Sequence, residues 1–226
     1  KDGGGFWHYN KKIPEQWTVS WQGLKFVVKP MGFKHTGIFP EQATNWKLMM
    51  ELIQKAKREI KVLNLFAYTG GASVACAKAG ASVTHVDASK GMVERAKENA
   101  KLNNISNIRF IVDDCAKFIE REVRRGNKYD AIIMDPPSYG RGPNGEMWKL
   151  EDNLADFVEH TKKVLSEKPL FVLINSYTTG LQPTVIANIL KSTFGQENVE
   201  ADEIGLPTNE GLVLPCGATG VKTWKI

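Results

Sequence analysis

"KVLNLFAYTGGASVACAKAGASVTHVDASKGMVERAKENA", residues 61 to 100, carries the reading that decides the fold. An apolar run at 61 to 67 meets a pair of glycines, passes into a short helical stretch closed by Gly80, and the cycle restarts with a second run at 82 to 88. Strand, turn, helix and strand in that order form the unit of a parallel sheet covered by helices. Ser89 stands where the second helix needs an N-cap. Met92, Val93, Ala96 and Ala100 then recur on one helical face before an asparagine-rich stop.

The pattern continues outward in both directions. "NIRFIVDD" (107–114) reads as a third strand with "CAKFIEREVRRG" as its helix, and "AIIM" (131–134) as a fourth that ends at Asp135. "NLADFVEHTKKVLSE" supplies a helix, "PLFVLINSY" a fifth strand and "QPTVIANILKSTFG" another helix. From residue 197 onward there are extended stretches and no helix, so the sheet should finish with an antiparallel hairpin. Ahead of residue 61, "WTVSWQGLKFVV" predicts a hairpin turning at Gln22-Gly23, and "EQATNWKLMMELIQKAKRE" a helix packed on the sheet. The expected fold is α/β and Rossmann-like, a mostly parallel seven-stranded sheet. Residues 1–40 are expected to form a small N-terminal β extension and 41–226 the main domain.

Composition narrows the setting. The 226 residues are 42% apolar, enough for a full core, and no run approaches the roughly 20 apolar residues of a membrane span. Nothing at the start resembles a signal peptide, and Cys76, Cys115 and Cys216 lie far apart without a paired motif. A cytoplasmic protein with no membrane association and no metal is expected. His8, His35, His85 and His160 are equally scattered and read as surface or hydrogen-bonded structural residues. The opening "KDGGGFWHYNKK" has no initiator methionine, so either a trimmed start or a missing upstream segment is expected. A net charge of +5 suits a nucleic-acid partner, while "REVRRGNK" (121–128) reads equally well as a solvated helix end complementing the dipole.

Three strand ends carry chemistry. Gly70 and Gly71 allow backbone to pass close to a ligand, although a bare tight turn would explain the pair as well. Asp87 ends the second strand seventeen residues beyond Gly70, where a carboxylate accepts hydrogen bonds from both hydroxyls of a ribose. Asp113 and Asp114 close the third strand, within reach of an adenine amine or serving as helix caps. Together they point to an adenosine-containing ligand. At the fourth strand, "DPPSYGRG" (135–142) sets a carboxylate and an aromatic on a stiff corner, because Pro136 and Pro137 fix φ and donate no N–H.

"VLNLFAYTGGASV", "VDASKGMVERAKENAKLN", "FIVDDCAKFI" and "YDAIIMDPPSYGRG" together resemble the class I S-adenosylmethionine-dependent methyltransferases, most closely the branch of bacterial large-subunit ribosomal RNA methyltransferases that act on cytosine C5 or guanine N7. The resemblance covers about residues 30 to 225 and is carried most specifically by the order of "LFAYTGG", "VDASKGMVERAKENAKLN" and "DPPSYG". It implies S-adenosylmethionine as cofactor and RNA, ribosomal RNA in this branch, as acceptor. Phe39 and Gln42 of "GIFPEQATNW" would lie beside the donor, Tyr68, Thr69, Gly70 and Gly71 along its methionine part, Asp87 with Ala88 and Ser89 on the ribose, and Asp114 with Cys115 at the adenine. Ala43 and Trp46 stand where this branch carries arginines. Asp135, Pro136 and Pro137 would hold the substrate edge near the methyl, Tyr139 would stack on an extruded base, and Ser138 and Arg141 would contact the substrate.

Methylating cytosine C5 requires a thiolate that first attacks the ring, and the C5 members of the resembling branch carry it just after the fifth strand. "NSYTTG" (175–180) has no cysteine there, and Cys216 belongs to the terminal hairpin. Guanine N7 or an exocyclic amine suits these residues better. Two other readings compete. A nicotinamide-dependent oxidoreductase could use Gly70-Gly71 and Asp87 but lacks the third glycine of its turn, and a non-catalytic RNA-binding module on a methyltransferase fold is compatible with the charge.

Overall fold

The computed structural model describes residues 6–32, 35–141 and 147–225, and the side chain of Arg141 falls outside that description. Seven strands form the main sheet: β3 (Lys61–Leu65), β4 (Ser82–Asp87), β5 (Ile108–Val112), β6 (Ala131–Met134), β9 (Phe171–Ser176), β10 (Val199–Pro207) and β11 (Val213–Thr223). Their order across the sheet is β10-β11-β9-β6-β3-β4-β5. The first five in chain order run parallel, and β11 lies antiparallel to both β9 and β10. Beside it stand two small ribbons, β1 (Trp17–Trp21) with β2 (Leu24–Val28) and β7 (Tyr139–Arg141) with β8 (Met147–Lys149). The sheet and the N-terminal hairpin are as expected.

Alternation along each strand divides the core between the two faces of the sheet. Val62, Ala131, Ile133, Phe171 and Leu173 face one cluster with Trp46, Met49 and Ile53 of α1 (Ala43–Ala56), Val74 to Ala77 of α2 (Gly71–Lys78) and Ala100 of α3 (Lys90–Leu102). Leu63, Leu65, Ile132, Met134, Val172 and Ile174 face the other. It is filled from α4 (Cys115–Arg125) by Phe118 and Ile119, from α5 (Leu150–Thr161) by Leu154, Phe157 and Val158, and from α6 (Pro183–Phe194) by Ile186 and Leu190. Runs such as Ala131–Met134 are apolar throughout because both faces are covered.

Local signals account for the element ends. Gln22 and Gly23 both take positive φ (45° and 78°), the backbone of a two-residue hairpin turn that follows the strand twist. Leu24 and Phe26 of that hairpin are buried in the same cluster as Trp46. The Ser89 hydroxyl accepts from the Met92 N–H as the N-cap of α3, and Gly126 ends α4 in the left-handed conformation. The β7–β8 ribbon following Asp135 has no counterpart in the sequence reading. Three residues on each side are too few for a legible alternation.

The chain builds β3, β4 and β5 to one side and then returns to β6 on the other flank of β3. That reversal leaves a crevice outside the carboxyl ends of β3 and β6, where open α/β sheets bind ligands.

Candidate active site

The crevice is a cleft of about 620 Å³ lined by His35, Phe39, Phe66, Tyr68, Asp87, Ala88, Ser89, Asp135, Pro136, Pro137, Ser138 and Tyr177. A narrow extension of about 50 Å³ runs beneath it past Gln42, Thr69, Gly71 and Asn175. Most of the expected donor and acceptor residues therefore meet in one place, drawn from the ends of β3, β4, β6 and β9 and from the segment preceding α1.

At the β4 end the Asp87 carboxylate is held by its own backbone surroundings. One oxygen accepts from the Tyr68 N–H (2.8 Å) and the other from the Ser89 N–H (2.8 Å). Each oxygen keeps a lone pair toward the cleft. Burial raises the Asp87 carboxyl above its usual range, and these two N–H groups oppose the rise. The turn that supplies Tyr68 is strained, with Phe66 (φ 55°) and Tyr68 (φ 50°) both left-handed. Three further bonds that involve side chains help secure it. The Phe66 N–H donates to Cys115 Sγ (3.3 Å), Thr69 Oγ1 donates to the Gly37 carbonyl (2.7 Å), and Asn99 Nδ2 donates to the Thr69 carbonyl (2.9 Å).

The glycine pair has a packing reason that the sequence did not show. A Cβ on Gly70 would stand 2.9 Å from the Ala96 Cβ, and one on Gly71 would stand 2.6 Å from Cζ2 of Trp46. Both glycines let helices close on the turn. Asp114 caps α4 by accepting from the Lys117 N–H (2.9 Å), while Asp113 pairs with Arg121. Cys115 is buried, and burial drives its thiol far above the usual range, so it acts as a neutral acceptor behind the Phe66 turn.

The β6 end differs. Asp135 accepts no hydrogen bond among the described residues, and burial together with the nearby Glu41 carboxylate pushes its carboxyl up to about 7. Glu41, itself buried, belongs to the turn of 3-10 helix Pro40–Gln42. Tyr177, just past β9, completes this end. Its hydroxyl accepts from Gln42 Nε2 (2.6 Å), and Gln42 Oε1 accepts from Asn45 Nδ2 (3.0 Å) and from Asn175 Nδ2 (3.0 Å). Burial and the neighbouring carboxylates Asp135 and Glu41 keep the Tyr177 phenol protonated. Its ring packs on Phe39 (5.4 Å between centroids), which packs on Tyr68 (5.4 Å) and His35 (5.5 Å). Sequence reasoning missed Glu41, Asn45, Asn175 and Tyr177. The aromatic that ends "NSY" was the available signal for Tyr177.

The lip beyond Asp135 is pinned at two points. Trp148 Nε1 donates to the Pro137 carbonyl (2.7 Å) and Thr178 Oγ1 donates to Ser138 Oγ (2.6 Å). Tyr139 lies on β7, half exposed, with its hydroxyl against Met147 Sδ, and is not among the residues that line the cleft. Cys216 sits partly exposed at the β10–β11 bulge. Next to it, a Cβ on Gly217 would stand 3.0 Å from the Tyr177 ring.

These residues fit a nucleoside bearing a polar tail. A ribose would meet the free lone pairs of Asp87, an apolar wall of Phe39, Phe66 and Pro136 would cover its base and methylene groups, and the open end would lie at Asp135 and Tyr177. Among the described residues no group of three or more His, Cys, Asp or Glu could hold a metal, and no helix is long and apolar enough to cross a membrane.

Comparison with known proteins agrees with that geometry. A family model described as S-adenosylmethionine-dependent methyltransferase matches residues 3–154. The crystal structure of a SAM-dependent methyltransferase from Agrobacterium tumefaciens superposes with a TM-score of 0.91 at 36% identity, covering 99% of this chain and 75% of that one. Ribosomal RNA large subunit methyltransferase K/L of Pseudoalteromonas translucida is 34% identical over 158 residues, which is 68% of this chain and 21% of the relative. Ribosomal RNA large subunit methyltransferase I of Aeromonas salmonicida is 35% identical over 120 residues, 52% of this chain and 29% of the relative. The matched stretches thus span between a fifth and a third of those two relatives.

Proposed function

Because this chain belongs to the S-adenosylmethionine-dependent methyltransferases, we propose that it methylates a base in RNA, at guanine N7 or an exocyclic amine and not at cytosine C5. The observation that carries the reading is the composition of the cleft's open end. Asp135, Pro136, Pro137 and Tyr177 surround it, and no thiol is among the described residues lining the cleft. S-adenosylmethionine supplies an electrophilic methyl group on a sulfonium centre when bound. The protein's task is then alignment and exclusion of water, with little acid–base machinery.

In this reading Asp87 receives the ribose hydroxyls, with Ala88 and Ser89 beside it and Asp114 at the adenine. Tyr68 to Gly71 and Gln42 follow the methionine part, and Phe39 covers it. Asp135 orients the acceptor edge while Pro136 and Pro137 keep its backbone from yielding. Tyr139 and Arg141 meet the nucleotide outside the cleft, Ser138 at its rim. Cys216 stays a protonated thiol, since burial and the Glu41 carboxylate raise it. The names of the ribosomal RNA methyltransferase relatives support RNA as acceptor, and such a role places the protein in the cytoplasm.

The test is direct. Large-subunit ribosomal RNA transcribed in vitro, incubated with the protein and isotopically labelled donor and then digested to nucleosides, should yield a labelled N-methylated nucleoside by mass spectrometry. Labelled 5-methylcytidine would refute the nitrogen assignment. Absence of label in RNA would refute the RNA assignment.

A further inference from the structure

A second surface, away from the cleft's lining, has the chemistry of a nucleic-acid track. The stretch of chain before β1 is fastened to the segment after β2 by Trp7 Nε1, which donates to the Met31 carbonyl (2.8 Å). Between that stretch and the segment after β2, at Lys29 and Pro30, lies a groove of about 520 Å³ whose walls include Tyr9, Lys11, Lys12 and Lys29, with Glu15 as its one acidic side chain among the described residues. Tyr9 is 55% exposed, and Lys11 and Lys12 are exposed too. Three cations converge there, and none takes part in the salt bridges found among the described residues, which all lie elsewhere. Three like charges gathered against the single counter-charge of Glu15 repel one another unless an anion joins them.

The groove is also coupled to the active cleft by the chain itself. Lys29 opens a turn closed by its N–H donating to the Thr36 carbonyl (3.0 Å) and by the Met31 N–H donating to the His35 carbonyl (2.8 Å). The far side of that turn supplies His35 and Phe39, which form one wall of the cleft. The family match, beginning at residue 3, includes this ribbon.

We propose that the Tyr9–Lys11–Lys12–Lys29 groove is an RNA-binding surface that holds single-stranded RNA flanking the methylated nucleotide, the lysines taking phosphates and Tyr9 stacking on a base. The inference rests on RNA being the acceptor. Recognition of this kind is tolerant of sequence, because every base has a face to stack and every nucleotide a phosphate.

The experiment uses the full chain and a fluorescein-labelled uridine dodecamer, with binding followed by anisotropy across a salt series. The triple variant Lys11→Glu, Lys12→Glu, Lys29→Glu should bind at least about tenfold more weakly and lose about two units of salt slope, since each phosphate contact on a single strand contributes about 0.7. Tyr9→Ala should weaken binding at least about fivefold at constant slope. The control is Lys61→Glu, Arg109→Glu, Lys128→Glu. It removes the same charge from a groove at the amino ends of β3 to β5, the opposite end of the sheet from the cleft, and should bind like the parent. Equal losses in both triple variants would reduce the effect to net charge and overturn the proposal. So would an undiminished affinity of the first variant when the parent binds the oligonucleotide and methylates ribosomal RNA. A parent that neither binds nor methylates RNA would instead bring down the RNA reading itself.

Discussion

Asp87 and Asp135 end two strands that flank β3, and both carboxylates face one cleft, yet burial is answered by hydrogen bonds at only one of them. Asp87 is held by two backbone N–H groups of the turns on either side of it, which offset part of the cost of burying its charge before any ligand arrives. Asp135 has no such support among the described residues and faces a second carboxylate, Glu41. The Asp87 end is a preorganised acceptor of hydrogen bonds. The Asp135 end holds its charge without such support, a condition that folds tolerate at functional sites.

The most severe way to break the comparison is Asp87→Ala. Losing a charged acceptor of two hydroxyl bonds, each worth about 1.5–3 kcal/mol, should weaken donor binding by about 100-fold or more in calorimetry. Because the same carboxylate holds the Tyr68 and Ser89 N–H groups, the melting temperature should fall as well. A lower melting temperature with unchanged donor affinity would make Asp87 structural only.

Asp135→Asn should do the reverse, lowering methyl transfer by roughly 100-fold or more while sparing donor affinity. Its effect on stability has a definite sign. The folded carboxyl titrates near 7 and the unfolded one near its ordinary value, so the folded state is penalised by the charge at high pH. Replacement by Asn should therefore stabilise the protein above pH 7, by about 1–2 kcal/mol once screening through the open cleft is allowed for. The gain should shrink as pH falls through 7 and vanish below the ordinary carboxylate range. Urea unfolding at pH 8 and pH 4 reads it, and a gain that grew on acidification would contradict the assignment.

Two tyrosines sharpen the contrast within the acceptor end. Tyr139→Ala should reduce acceptor use by one to two orders of magnitude, as loss of base stacking worth about 1–3 kcal/mol implies, and Tyr139→Phe should be nearly silent. Tyr177→Phe should not be silent. It strands the Gln42 amide inside a buried network and should cost about 1–3 kcal/mol of stability, visible in thermal unfolding. The smallest effect belongs to Cys216→Ser, which should retain activity. Ribosomal RNA carrying 5-fluorocytosine should form no covalent adduct, and one trapped through Cys216 would return the protein to the cytosine C5 group.

Much of this architecture was legible in the chain. The apolar runs, the Ser89 cap and the Gln22-Gly23 turn announced their elements because each depends on residues within a few positions of one another. Gly70 and Gly71 were visible as a necessary turn, but their reason lay in Trp46 and Ala96, about 25 residues away on either side. Tyr177 and Glu41 carry no local periodicity, and only the meeting of the segment before α1 with the end of β9 makes them a pair.

What the sequence determined by itself was the order of strands and helices, the strand ends that carry Asp87 and Asp135, and the lack of a cysteine after the fifth strand. All of these follow from short-range spacing and residue type. Tertiary structure alone decided that Asp87 would be supported and Asp135 left beside Glu41, that Tyr139 would stand outside the cleft and Tyr177 inside it, and that the lysines of the N-terminal groove would converge. Those outcomes depend on distances between residues far apart in the chain. The burial and charge that set them exist only once the sheet has brought its strand ends together.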